Sequence, residues 1–134
     1  MEKRPGVKRV VVFGTFDGIH EGHRFLFEQA RQYGNELVAI VGRDEFVRSF
    51  KHKEPKNNEK DRVETVQTEP LVDRAVLGDE QISSWSILEQ LAPDVICLGY
   101  DQDALEQDLK RWMAGRGVSI AIVRALYKNP VGKV

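Results

Sequence analysis

Residues 13–23 read Phe13-Gly14-Thr15-Phe16-Asp17-Gly18-Ile19-His20-Glu21-Gly22-His23, and the fold is decided there. A largely apolar run, Val7-Lys8-Arg9-Val10-Val11-Val12, leads into the stretch, and a helical pattern, Phe25, Leu26, Phe27 and Ala30, leads out of it. The context is strand, glycine-bearing turn, helix. In that arrangement the unpaired N–H groups of the turn and of the first helical turn converge on one spot, which suits a phosphate. Two of the chain's three histidines stand at that spot. Three residues apart, they fall on one side of a helix entrance near Glu21. A phosphate cradle holding two imidazoles suggests chemistry on a phosphate.

Other readings of the pair fit less well. The zinc-protease helix needs its histidines four apart with the acid between them, and the spacing here is three. A zinc site also wants a third ligand, and only His52 and Cys97 remain, neither within a motif. The turn is not the dinucleotide fingerprint, because no Gly-x-Gly-x-x-Gly is present. A purely structural turn is the remaining alternative, but three glycines, an aspartate and two histidines crowd into ten residues.

Working outward, apolar runs and helical patterns alternate. Strands are expected near 7–13, 36–41, 72–77, 94–98 and 118–123, and helices near 21–33, 58–68, 85–91 and 103–115. Ser86 with Glu89, or Ser84, would cap the third helix, while Asp103 with Glu106 opens the fourth and Gly115 and Gly117 close it. The strands read as continuous Val, Ile and Leu, the pattern of strands buried on both faces. The expected architecture is therefore α/β: a single Rossmann-like domain over 1–134, with a five-stranded parallel sheet and helices on both faces. Ligands in such sheets bind beyond the carboxyl ends of the strands, where the strand order reverses. If the first and fourth strands are neighbours, the signature and Leu98-Gly99-Tyr100-Asp101 border one cleft.

Composition narrows the classes. The 134 residues carry 20 Lys and Arg against 21 Asp and Glu, which argues neither for nucleic acid nor for an acidic membrane surface. The longest apolar run is far short of a membrane span and the N-terminus has no signal-peptide core, so a cytoplasmic protein is expected. Cys97, the single cysteine, lies in Val95-Ile96-Cys97-Leu98 and reads as a buried strand residue. Trp85 and Trp112, on helical patterns, read as packing residues. The segment from Ser49 to Asp61 has no apolar period and includes Pro55. It is either a solvated linker or a mobile basic loop that closes over a triphosphate, and it is expected to be poorly ordered without ligand.

The Gly-Thr-Phe-Asp-Gly-Ile-His-Glu-Gly-His stretch resembles the signature of the cytidylyltransferase-like nucleotidyltransferases, with His20, Gly22 and His23 matching their His-x-Gly-His element. Val41-Gly42-Arg43-Asp44-Glu45, Lys51, Arg62, Val72-Asp73 and Leu98-Gly99-Tyr100-Asp101-Gln102 are similar to family positions in the same order. The Leu-Gly-x-Asp-Gln element tilts the resemblance toward archaeal-type FAD synthases, with glycerol-3-phosphate cytidylyltransferases close behind. The resemblance implies transfer of a nucleoside monophosphate from a nucleoside triphosphate to a phosphorylated acceptor such as FMN, with release of pyrophosphate. It also implies magnesium carried by the triphosphate, no metal held by the protein alone, and a homodimer.

It assigns roles by position. His20, His23 and Lys51 would be catalytic, the histidines as hydrogen-bond donors and Lys51 on the outer phosphates. Gly14, Thr15 and Phe16 would offer backbone N–H groups, and Gly22 would keep the helix entrance clear of the nucleotide. Arg62 would neutralise phosphate oxygens with its fork. Asp17 would either cap the turn or face the acceptor. Gly99, Tyr100 and Asp101 would border the nucleoside, Asp101 being otherwise a turn residue. The resemblance breaks at the C-terminus. Family members carry Ser/Thr donors there, whereas no serine or threonine follows Ser119 and only Arg124, Lys128 and Lys133 supply positive charge. Two alternatives stand beside the adenylyltransferase: a cytidylyltransferase making a CDP-alcohol such as CDP-glycerol, and a non-catalytic nucleotide-binding module.

Overall fold

A computed structural model describes residues 4–81 and 83–126. Val, Ile and Leu runs form the strands β1 (Arg9–Gly14), β2 (Glu36–Val41), β3 (Arg74–Leu77), β4 (Val95–Leu98) and β5 (Ala121–Arg124). They pair in one parallel sheet of order β3-β2-β1-β4-β5. The chain thus builds outward from β1 to β3, then returns across β1 to lay down β4 and β5. β1 and β4 lie side by side, Val10 opposite Val95 and Val11 opposite Ile96. The strand order reverses at that pair, the place where open α/β sheets bind ligands.

Alternate residues of each strand feed two cores, as the period of two dictates. Val10, Val12, Leu37, Ala39, Val41 and Cys97 meet Phe27 and Ala30 of α1 (Glu21–Arg31) and Val66 of α3 (Glu59–Gln67). On the other face Val11, Phe13, Val38, Ile40, Ile96 and Leu98 meet Leu88 and Leu91 of α4 (Ser86–Leu91) and Leu109 of α5 (Asp103–Arg116). Helices therefore cover both faces, as expected. Cys97 is buried and its thiol is pushed up to about 11 by that burial. Trp85 and Trp112 pack on the second core, and Trp85 Nε1 donates to Asp108 Oδ2 at 3.0 Å.

The expectation for 49–61 is corrected. A helix, α2 (Asp44–Lys51), follows β2, so residues 49–51 finish a helix rather than begin a loop. Only Val47 is buried in it. Its first N–H is satisfied from a distance, Asp44 N donating to Glu59 Oε1 at 2.8 Å. Asp44 and Glu45 at its start and Arg48 and Lys51 at its end suit the helix dipole. The expected serine caps of α4 are not used either. Trp85 occupies the cap with φ 53, and Asp79 Oδ2 accepts the Ile87 N–H at 3.2 Å instead. The start of α5 and its closure at Gly117, φ 65, fall as expected.

Candidate active site

The signature turn folds back on itself at the carboxyl end of β1. Phe16 takes a left-handed φ of 54 and lays its ring over Gly14, where a Cβ would stand 2.6 Å from the ring. Glycine is required there. The ring is 2 % exposed, packs on Phe27, and meets His23 edge-on with centroids 5.1 Å apart. Phe16 is thus the floor of the cradle.

His20 caps α1. Its Nδ1 accepts the Gly22 N–H at 3.0 Å, and His23 Nδ1 accepts the His20 N–H at 3.2 Å. The two rings stack, centroids 3.8 Å apart and planes 23° from parallel. Because each Nδ1 accepts, the neutral-ring proton of each imidazole resides on Nε2. The backbone thus prepares both rings as Nε2–H donors. The structure also gives another reason for Gly22: a Cβ there would lie 2.8 Å from His20 Cε1, so it is the imidazole itself that needs the space. Burial, followed by the positive charges of His20, Lys51 and Arg24, lowers the His23 pKa to about 4 against the opposing pull of Glu69. At neutral pH His23 is an uncharged donor. Lys51, at the end of α2, is close enough to be felt by it.

Asp17 has a role that neither expectation named. Its carboxylate accepts from Lys56 N at 2.6 Å and from Asn57 N and Nδ2, both at 3.0 Å. The segment before α3 is thereby clasped to the signature turn. Burial pushes the Asp17 pKa up, but these hydrogen bonds outweigh it and hold the carboxyl below its ordinary value. Both oxygens are thus engaged within the fold.

Arg62 is corrected as well. It is 1 % exposed. Its guanidinium donates to Asn57 O at 3.0 Å, Thr15 O at 2.8 Å, Gly42 O at 2.6 Å and Asp44 Oδ1 at 2.6 Å. No donor is turned toward a phosphate; the fork ties the carboxyl ends of β1 and β2 to the starts of α2 and α3. Of the two cations expected on the outer phosphates, Lys51 is the exposed one.

Gly99, Tyr100 and Asp101 stand beyond β4, beside the signature, because β1 and β4 are neighbours. Gln102 joins the two ends: its Oε1 accepts from Gly99 N at 2.7 Å and its Nε2 donates to Phe13 O at 3.1 Å. Arg124, at the end of β5, donates to Gly99 O at 3.0 Å and Tyr100 O at 2.6 Å while paired with Asp103 and Glu106. Gln102, quoted from sequence without a role, and Arg124, expected as positive charge for the phosphates, are thus positioning residues, Arg124 being engaged by two carbonyls and two carboxylates. The signal was their place, a strand end and the residue after a turn. Lys128 and Lys133 lie outside the described residues.

Two shallow cavities occur, of about 320 and about 390 Å³, one by Asn35, Glu36 and Asp73 at the amino ends of the strands and one by Glu28, Glu69 and Pro70. The strand order nonetheless places the signature at the switch point. Among the described residues no three of His, Cys, Asp or Glu gather as a metal cage, and no helix is long and apolar enough to cross a membrane.

Comparison with known proteins agrees with the fold. A family model described as cytidylyltransferase-like matches residues 11–131. The FAD synthase of Pyrococcus horikoshii is 40% identical over 127 residues, covering 93% of this chain and 86% of the relative. That of Archaeoglobus profundus is 44% identical over 122 residues, covering 90% and 76%. A solved structure from Thermoplasma volcanium, described as a lipopolysaccharide core biosynthesis protein, superposes with a TM-score of 0.84 at 34% identity, covering 92% of this chain and all of that one.

Proposed function

We propose that this chain, a nucleotidyltransferase that belongs to the cytidylyltransferase-like family, moves the adenylyl group of ATP to the phosphate of FMN, forming FAD and pyrophosphate. The observation that carries the reading is the paired imidazoles, each turned by a backbone N–H so that its Nε2–H is free to donate. Similarity to several archaeal FAD synthases supports the choice of substrates.

An FMN phosphate oxygen attacks the α-phosphorus in line. A new P–O bond forms while the bond from the α-phosphorus to the bridging oxygen breaks, and pyrophosphate departs with that electron pair. The nucleophile is already anionic, so the protein supplies alignment and donors rather than a strong base. His20 and His23 donate to oxygens whose charge grows during transfer, and the first turn of α1 adds its dipole. Lys51 holds the outer phosphates. Phe16 and the clasp between Asp17 and Asn57 fix the turn that bears the histidines. Magnesium brought by the triphosphate, and held mainly by phosphate oxygens, would neutralise the departing pyrophosphate.

The test is direct. Purified protein with ATP, FMN and magnesium should yield FAD by chromatography and pyrophosphate in equal amount. FAD-free reactions together with CDP-glycerol from CTP and glycerol 3-phosphate would replace the adenylyl reading with the cytidylyl one. Nucleotide binding without product from any acceptor would leave a binding module.

A further inference from the structure

We propose that Phe50, braced by Phe46, is the platform on which the flat ring of the acceptor stacks, an inference that rests on the flavin reading above. The two phenylalanines lie one turn apart on α2, with rings stacked at 4.8 Å and planes 26° from parallel. Phe46 is 36% exposed and Phe50 55%. Of the other exposed large apolar residues, Tyr33, Leu71 and Val118 precede β2, β3 and β5 and so lie at the amino ends of the strands, whereas Tyr100 and Leu126 follow β4 and β5, away from α2 in the chain. The phenylalanine pair lies at the carboxyl end, with the signature.

Its place is set from both ends of α2. At one end a Cβ on Gly42 would be 3.3 Å from the Phe46 ring, and Gly42 N donates to Gly14 O at 2.9 Å. Phe46 therefore leans on the carboxyl end of β2, next to the signature strand. At the other end Lys51 acts on His23. Val47, fully buried, holds the helix down between them. Phe46 is backed by Gly42 on one side and covered by Phe50 on the other, so Phe50 offers the free ring.

The charges suit a ligand that joins a flat ring to a phosphate. Phe50 is followed by Lys51, His52 and Lys53, all exposed. A ring resting on Phe50 would have its phosphate near Lys51 and the imidazoles, where the attacking oxygen must be. A triphosphate has no group that needs this surface, because its base lies beyond β4 in the proposed arrangement. The ligand class is therefore a phosphorylated compound with an extended planar ring, and FMN is the member that the proposed reaction uses.

The experiment compares Phe50→Ala, Phe50→Tyr and wild type, all as the full chain and checked for unchanged melting temperature. FMN affinity is read from quenching of its fluorescence, and KM is measured separately for FMN and ATP. Stacking on one aromatic ring is worth enough that Phe50→Ala should weaken FMN binding and raise its KM about tenfold or more. The KM for ATP should stay within about twofold, and Phe50→Tyr should restore FMN binding because stacking tolerates the exchange. Should Phe50→Ala itself fail to fold, Phe50→Leu serves, since it keeps apolar bulk and removes the ring. Wild-type FMN affinity in a folded ring-less variant, in a protein that makes FAD, overturns the platform and leaves the reaction standing. Equal losses for FMN and ATP also overturn it, since they mark a displaced α2. A wild-type protein that neither binds FMN nor forms FAD overturns the reaction and the platform with it.

Discussion

The histidine pair and Arg62 both stand at the carboxyl ends of the central strands, and both looked like phosphate ligands on residue type. They use their hydrogen bonds in opposite ways. His20 and His23 each give only an acceptor, Nδ1, to the backbone and leave Nε2–H uncommitted by it. Arg62 commits Nε and both terminal nitrogens to three carbonyls and a carboxylate. The lesson is that proximity to a phosphate site does not assign a role. What a side chain has left after the fold has used it does. Buried donors must be satisfied, so a guanidinium at 1% exposure is spent on structure, whereas an imidazole at a helix cap has one nitrogen to spare.

The contrast is sharpest in stability. Arg62→Met should cost about 3–5 kcal/mol, because it strands Asp44 and the carbonyls of Thr15 and Gly42. Arg62→Lys should recover little, since one ammonium cannot reach that spread of acceptors. Urea denaturation measures both. A loss below about 1 kcal/mol together with a selective loss of ATP affinity would return Arg62 to the phosphates.

On the other side of the comparison, His23→Ala should leave the fold standing but lower turnover by about 10²-fold or more, with only a modest change in nucleotide affinity. Pyrophosphate release with FMN as acceptor reads it. An equal fall in affinity would make the imidazole a ground-state ligand rather than a donor to developing charge.

Lys51→Ala should weaken ATP binding about tenfold and AMP binding less, the difference expected for one charge-assisted contact to the outer phosphates. Calorimetry with both nucleotides separates the cases. Equal losses would move Lys51 to the α-phosphate, and no loss for either would leave it as a solvated helix end.

The smallest effect is a titration. His23 should have its midpoint near pH 4, against an ordinary value of 6.5, when followed by its ring proton resonances. Between those values the unfolded chain holds a proton that the folded chain does not. Stability should therefore decline as pH falls from about 6.5 to about 4 and be insensitive to this group above that window. Bound ATP should raise the midpoint, because the added negative charge favours imidazolium. A midpoint that stays near 6.5 in the free protein would mean that the ring is more exposed than the structure places it.

Much of this was legible in the residues. Uninterrupted Val, Ile and Leu runs separated by helical patterns specify a doubly covered parallel sheet, since a strand buried on both faces has no polar side to alternate. Gly14, Gly22 and the histidine spacing locate the cradle, because turn chemistry and helix entry are local properties of a dozen residues. α2 was not legible. Its apolar residues, Phe46, Val47 and Phe50, span little more than one turn, too short a pattern to stand out, and its first N–H is satisfied by Glu59 from another helix.

Tertiary structure alone decided which polar groups remain available. Nothing near Arg62 in the chain says that the carbonyls of Thr15 and Gly42, 47 and 20 residues away, will converge on its guanidinium. Nothing near Asp17 says that Lys56 and Asn57 will close on its carboxylate. Local sequence sets backbone conformation and the face each residue shows, because those depend on neighbours within a turn or two. Hydrogen-bond partners are set by which strand ends the sheet order brings together, and that order is fixed only when the whole apolar surface is buried at once.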